Sequence, residues 1–354
     1  MRIVSERLYN QRLSSPEFQQ PADVVRWMGA VQAQDFAGAK WALGLRMRSA
    51  SDTAIEKAYN EGQILRTHVM RPTWHFVAPD DIRWLLELTA ARVNARCGPN
   101  YRKYELDAAV FKRTSKILTN VLKGGKHLTR AELRAALNRA GVAADDPIRV
   151  AHILLRAELD ALVCSGRRRG KQFTYALLDE RVAPAKSLTR EEALAKLTER
   201  YFTSHGPATL QDFVWWSGLT TIDARQGIAL LDRHLRKELI NDKDYWLPLG
   251  KPSARQPLHS AHLLPAFDEY NVAYKDRETV VEHDGGKPRM KSWDLLNPTV
   301  AIDGKVVGTW KARMNAQSVM ISLQSARALK KPEKLAIATA ADRYGAFLGL
   351  RVDI

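Results

Sequence analysis

Leu128-Thr129-Arg130-Ala131-Glu132-Leu133 and, further along, Ala161-Leu162-Val163-Cys164, Ser165-Gly166-Arg167-Arg168-Arg169-Gly170-Lys171 and Phe173-Thr174-Tyr175-Ala176-Leu177 carry the clearest structural pattern in the chain. Thr129 and Glu132 have capping-box spacing, in which the hydroxyl and the carboxylate each satisfy an orphan backbone donor. A helix is expected before this box, near Asp107–Leu122, and another after it, near Ile148–Leu159. Two apolar runs flanking a Gly-containing polar tip read as a β-hairpin. Three helices closed by a hairpin make a winged helix.

The same order recurs on either side. Downstream, helices are predicted over Arg190–Thr203, from Pro207 onward, and over Ile222–Leu235. A hairpin follows, with strands Glu238–Ile240 and Tyr245–Leu247 around the turn Asn241-Asp242-Lys243-Asp244. Upstream, helices near Glu6–Leu13, Ala22–Met28 and Asp52–Asn60 precede strands Ile64–Met70 and Trp74–Ala78, with the turn placed at Arg71-Pro72-Thr73 because proline cannot continue a ladder. A linking helix follows near Asp80–Val93. In the tail, Asp303-Gly304 between apolar runs signals a two-residue hairpin turn, Val319–Leu323 another strand and Pro332–Tyr344 a helix. The expectation is a mainly α protein with short hairpins (α+β), divided at 1–100, 101–185, 186–255 and 256–354. The first three segments are winged helices and the last a small α+β region.

Of 354 residues, 55 are Lys or Arg and 39 Asp or Glu, a net charge of +16. Such a surplus on one face favours DNA phosphates through counterion release, although it also serves solubility. Two cysteines, Cys97 and Cys164, are too few for a disulfide framework or a zinc site. No apolar run approaches the roughly 20 residues that span a bilayer, and the first residues carry charges where a signal peptide needs an apolar core. No membrane partner and a cytoplasmic, nucleoid-associated location are therefore expected. The chain has no Walker loop, G-x-G-x-x-G, G-x-S-x-G or H-E-x-x-H, so nucleotide and zinc chemistry find no support.

At Gly29-Ala30-Val31-Gln32-Ala33-Gln34-Asp35-Phe36 the chain resembles the AlkZ-type DNA glycosylases, a tandem winged-helix family linked to azinomycin resistance and related to the YcaQ-like enzymes. Further matching segments are Ile64–Val77 (ILRTHVMRPTWHFV), Leu263–Tyr270 (LLPAFDEY) and Val306–Trp310 (VVGTW), spread over nearly the whole chain. The resemblance implies three winged helices on DNA and monofunctional hydrolysis of the N-glycosidic bond of alkylated purines, some of them crosslinked. It also implies an active-site signature Gln-hydrophobic-Gln, matched by Gln32-Ala33-Gln34; the sister branch has an Asp in the second position, and this chain does not. No cofactor is implied, and the partner is double-stranded DNA carrying alkylated bases, bound by a monomer. A non-catalytic winged-helix regulator or architectural protein is the competing reading.

Two amides can serve such a reaction. A purine alkylated at N7 is already cationic and leaves without a general acid. A Gln carbonyl cannot act as a useful base, but it accepts a hydrogen bond from the attacking water, and its dipole favours the developing oxocarbenium. Residues two apart share a face on an extended chain but not on a helix. If both glutamines meet one substrate, Val31–Asp35 must leave regular helix; alternatively only one acts on the water, while the other holds DNA or protein backbone. Asp35 is a rival for orienting the water, with capping of the following helix as its competing role.

Other residues carry weaker signals. Arg66, His68, Arg71 and His75 lie in the first hairpin and are candidate DNA contacts, with His68 also readable as a satisfied core histidine. Arg167, Arg168, Arg169 and Lys171 crowd a predicted wing tip suited to phosphates. Lys311 and Arg313 follow a strand, with alternating direction, and are further DNA-contact candidates. Trp84, Trp215 and Trp216 read as core rather than base-stacking groups. His259 and His262 have metal-ligand spacing without an acidic or thiol partner, so no metal is expected. Asp268 and Glu269 are adjacent, point apart, and do not form an acid–base pair.

Overall fold

The computed structural model describes residues 2–249 and 260–353, so both the expected boundary at 255/256 and His259 lie outside the described residues. The chain forms two compact units, one of residues 57–194 with 217–219, the other of residues 1–56, 195–216 and 220–354. The fold class is the α+β expected, with helices and short antiparallel hairpins.

In the first unit, helices Ala108–Leu122, Arg130–Arg139 and Pro147–Leu159 accompany a three-stranded sheet ordered Leu128–Thr129, Thr174–Leu177, Val163–Ser165. The helix starts are those the sequence encodes. Asp107 accepts the Val110 N–H at 2.8 Å, and Glu132 accepts the Thr129 N–H at 2.7 Å while Thr129 Oγ1 accepts from Glu132, closing the capping box. Leu118, Leu133, Leu137, Ile153 and Leu154 are buried at helical spacing. The hairpin pairs Val163 with Leu177 and Ser165 with Tyr175.

Two boundaries in this unit differ from expectation. The first hairpin, Leu65–Val69 with Arg71–Val77, turns at Met70 (φ 61°) rather than at Pro72. Val69 pairs with Arg71 and His68 with Trp74, so Pro72 and Thr73 fall in a bulge, where a residue lacking an N–H costs no ladder bond. The linking helix runs Pro79–Lys103, well past Val93, with Pro99 inside it. Buried Cys97 and Tyr101 flank that proline, and tertiary packing offsets the hydrogen bond it removes.

In the second unit, helices Arg2–Asn10, Pro21–Met28, Phe36–Leu45, Leu210–Ser217 and Thr221–Leu230 surround a core that includes Leu8, Val24, Val25, Leu43, Phe213 and Trp216. The helix expected to reach Leu235 ends at Leu230, because Leu235 already pairs with Pro248 at the foot of the hairpin Leu235–Ile240/Lys243–Pro248. That hairpin turns in two residues, Asn241 and Asp242, both at positive φ (49° and 58°), rather than over Asn241–Asp244. Asp303-Gly304 makes the other two-residue turn, again at positive φ (48° and 78°). Glycine is needed there twice over, since a Cβ on Gly304 would stand 2.2 Å from Val4 Cγ1. A five-stranded sheet follows, ordered Arg351–Asp353, Ser318–Ser325, Lys305–Met314, Thr299–Ile302, Ala261–Leu264, antiparallel except at its first pair. Helix Lys331–Leu348 lays Tyr344 against both Trp41 and Trp310.

His262 sits buried in strand Ala261–Leu264, where burial, reinforced by Arg343, pulls its pKa from the usual 6.5 down to about 4. Between those values the unfolded chain binds a proton that the folded one refuses. The stabilisation is therefore complete above pH 6.5 and is lost on acidification toward about pH 4, to the extent of about 3 kcal/mol. Urea unfolding across this range should show a shallower acid slope for His262→Gln than for the wild type; parallel slopes would contradict the assignment.

Candidate active site

Helix Pro21–Met28 stops at Gly29 (φ 79°), and a Cβ there would press on the Trp216 ring at 3.3 Å. Val31 and Gln32 then run extended, Ala33–Asp35 are irregular, and helix Phe36–Leu45 begins. The stretch thus leaves regular helix, the condition under which both glutamines could meet one substrate. Val31 and Ala33 are buried (1% and 0% exposed), Gln32 is half-buried and Gln34 exposed. Buried and accessible positions alternate along this segment, so the two amides fall on its accessible side. Asp35 occupies the N-cap position of the next helix and is exposed, but it makes no side-chain capping bond. Its expected capping role is corrected to a purely positional one.

The wall behind this segment comes from the far end of the chain. Strand Ala261–Leu264 is pinned by two indoles, Trp41 donating to Leu263 O at 2.7 Å and Trp310 to Leu264 O at 2.8 Å. The backbone then turns through Phe267 (φ 60°) into the short helix Glu269–Val272. Asp268 caps that helix and accepts both Arg46 guanidinium nitrogens, at 2.9 and 3.0 Å, with Arg46 and Asp268 each 1% exposed. Glu269, fully buried, accepts the Gln32 backbone N–H at 2.7 Å and the Trp216 indole N–H at 2.9 Å. His205 Nε2 stands 3.6 Å from the same carboxylate, and burial lowers the His205 pKa against the pull of Glu269. The two acids do point apart. The role that sequence reasoning did not assign to Glu269 is to meet Gln32, and the only signal was its place in the Leu263–Tyr270 segment.

The candidate contacts of the first hairpin are less open than expected. Arg66, 7% exposed, lies between Trp74 and Phe173, its guanidinium carbon 4.2 and 4.5 Å from their ring centres. It lines a cleft of about 350 Å³ with Arg130, Lys171 and Tyr175. His68 is buried against Glu158 and Trp74, so the core-histidine alternative holds. His75 is wholly buried; its Nδ1–H donates to Thr73 O at 2.9 Å, and its Nε2 accepts from Arg71 at 3.2 Å. Neither histidine can touch a phosphate from such a position, and both expectations of direct DNA contact are corrected. Half-buried Arg71 is what His75 holds.

At the wing tip the four cations divide. Arg169 is bound to Glu132 and to His127 O, both at 2.8 Å. Arg168 donates to Lys171 O and lies over Phe173. Arg167 and Lys171 are exposed and form no ion pair among the described residues. Lys311 and Arg313, in the other unit, are exposed on strand Lys305–Met314 and pair in register with Ser322 and Met320. Trp84 and Trp216 are core, as expected, whereas Trp215 is 45% exposed, with its indole donating to Val272 O. Both cysteines are free and buried. Among the described residues no cluster of three or more His, Cys, Asp or Glu could hold a metal, and no helix is long and apolar enough to cross a membrane.

An irregular segment thus presents two neutral amides on a basic α+β scaffold. The model of the AlkZ-like DNA glycosylases matches residues 25–347, and the chain belongs to that family. It is therefore a DNA glycosylase, and the regulator reading falls away. Among its relatives is an interstrand DNA cross-link repair glycosylase of Streptomyces sahachiroi, 24% identical over 331 residues covering 87% of this chain and 86% of that one. The solved structure of Streptomyces sahachiroi DNA glycosylase AlkZ superposes with a TM-score of 0.80 at 20% identity, covering 100% of this chain and 98% of that one, and shares the fold.

The Arg46–Asp268 pair generates a stability prediction. Removing one partner strands a buried charge, so Asp268→Ala should cost about 3–5 kcal/mol in urea unfolding, whereas joint replacement Arg46→Met with Asp268→Leu should cost clearly less. Equal losses would contradict the pairing argument.

Proposed function

We propose that this enzyme hydrolyses the N-glycosidic bond of cationic, N7-alkylated purines in duplex DNA, interstrand crosslinks included, with Gln32 and Gln34 at the reacting sugar. The observation that carries the reading is the accessible, non-helical pair of amides with buried Ala33 between them. The Streptomyces sahachiroi relative, an interstrand DNA cross-link repair glycosylase, supports the crosslink part. Water adds its oxygen to the anomeric carbon as the carbon–nitrogen bond breaks. The bonding electron pair leaves on the base and neutralises its positive charge, and the surplus proton of the water passes to solvent. Each amide carbonyl accepts from the water or faces the oxocarbenium, and neither needs to change its protonation state.

We further propose a division into three winged-helix segments and a C-terminal α+β region, a monomeric enzyme and action at the nucleoid. Of the candidate DNA contacts, Arg71, Arg167, Lys171, Lys311 and Arg313 keep enough exposure to meet phosphates. Arg66, buried under two rings, instead shapes the cleft wall.

Two experiments test this reading. In single-turnover release of 7-methylguanine from duplex DNA, Gln32→Ala and Gln34→Ala should each slow the freed base by about 100-fold, with affinity for undamaged duplex unchanged. Wild-type rates in both variants would overturn the site. For Arg167→Ala with Lys171→Ala, the slope of log affinity against log salt should fall by about 1.8, two phosphate contacts at about 0.9 each. An unaltered slope would remove the wing tip from the DNA interface.

A further inference from the structure

We propose that Glu269 is the positioning residue of the Gln-x-Gln site: its buried carboxylate grips the Gln32 backbone and so sets where the Gln32 amide meets the sugar and water. The inference rests on the reading of Gln32 given above and adds to it a residue that never touches substrate.

The segment Val31–Asp35 consists of two residues of strand followed by irregular chain, with no helix. One hold on it comes from behind. Glu269 takes the Gln32 N–H at 2.7 Å, a charge-assisted bond stronger than a neutral one. The same carboxylate takes the Trp216 indole at 2.9 Å, and Trp216 is the ring on which Gly29 rests at the start of the segment. One side chain thereby locates the approach to the glutamines and the first glutamine itself.

Glu269 is in turn held rigidly. Its neighbour Asp268 is clamped by Arg46, Tyr270 donates its hydroxyl to Gly304 O at 2.7 Å, and Asn271 donates to Thr299 Oγ1 at 2.9 Å. Every member of this frame is buried. An ionised carboxylate in such surroundings is costly unless its hydrogen bonds are made, and here two donors meet it. Its negative charge also has the favourable sign behind a site that faces a cationic base and an oxocarbenium. Glutamine cannot replace it. An amide has one acceptor and one donor end, so it would set an N–H against either the Gln32 N–H or the Trp216 N–H.

The test is single-turnover release of 7-methylguanine from duplex DNA by the full chain, read beside duplex affinity and melting temperature. Displacing a reacting group by about 1 Å costs on the order of 100-fold, so Glu269→Gln should slow release by about 10- to 100-fold while the dissociation constant for duplex moves less than about threefold. In a Gln32→Ala background, provided release stays above the uncatalysed rate, adding Glu269→Gln should slow it by less than about twofold, because the side chain it positions is gone. A merely structural residue would lower affinity and melting temperature together and would multiply the Gln32→Ala defect. If Glu269→Gln does not fold, Trp216→Phe, which removes the indole donor to the carboxylate, is judged by the same two comparisons. Wild-type release by the Glu269 variant, or multiplying defects, overturns the proposal while leaving the glutamines in place. Wild-type release by Gln32→Ala overturns the site reading itself, and the proposal with it.

Discussion

Two adjacent carboxylates hold this enzyme's functional segment to its core. Asp268 is locked by the Arg46 guanidinium and Glu269 by the Gln32 backbone N–H and the Trp216 indole; all but half-buried Gln32 are buried. Because neighbouring residues point in different directions, one turn of chain reaches the first helices through Arg46 and the glutamine segment through Gln32. The strand that delivers this turn is itself fixed by Trp41 and Trp310 bonding to successive carbonyls. Residues far apart in sequence are thus tied together by hydrogen bonds whose removal strands a buried charge.

That rigidity suits the chemistry. A cationic base departs on its own electrons, so the protein need supply no strong acid; it must hold a water and favour positive charge on a sugar. Preorganised dipoles do both without titrating. A site without a proton donor is also selective, since undamaged purines lack the charge that makes them leave. On the proposed reading, the basic surplus of the chain brings DNA close, and the accessible amides act only where alkylation has already loosened the bond.

Much of the scaffold was legible in the sequence because its signals are local. The Thr129–Glu132 capping box, the Asp107 cap, the hairpin from Val163 to Leu177 and the Asp303-Gly304 turn each follow from a few neighbouring residues. The departure of Val31–Asp35 from helix was expected only on the condition that both glutamines meet one substrate. What stayed hidden depended on long-range packing. Pro72 falls in a bulge because the ladder slips at His68 and Val69, and Pro99 is carried within a helix by its buried neighbours. His68 and His75 looked like candidates for phosphate, yet Glu158 and Thr73 claim them in the interior. Glu269 stood in plain view beside Asp268, but only the folded chain reveals that its partner is the backbone of Gln32.

The central claim is that the positive charge of the base, not a proton from the protein, drives its departure. It is tested most directly by comparing release from two duplexes that differ only in that charge, one carrying 7-methylguanine and the other its uncharged isostere 7-methyl-7-deazaguanine. The account predicts steady release of the first and none of the second at equal occupancy. Comparable release of both would mean that the enzyme protonates its leaving group, and that two amides are not the machinery.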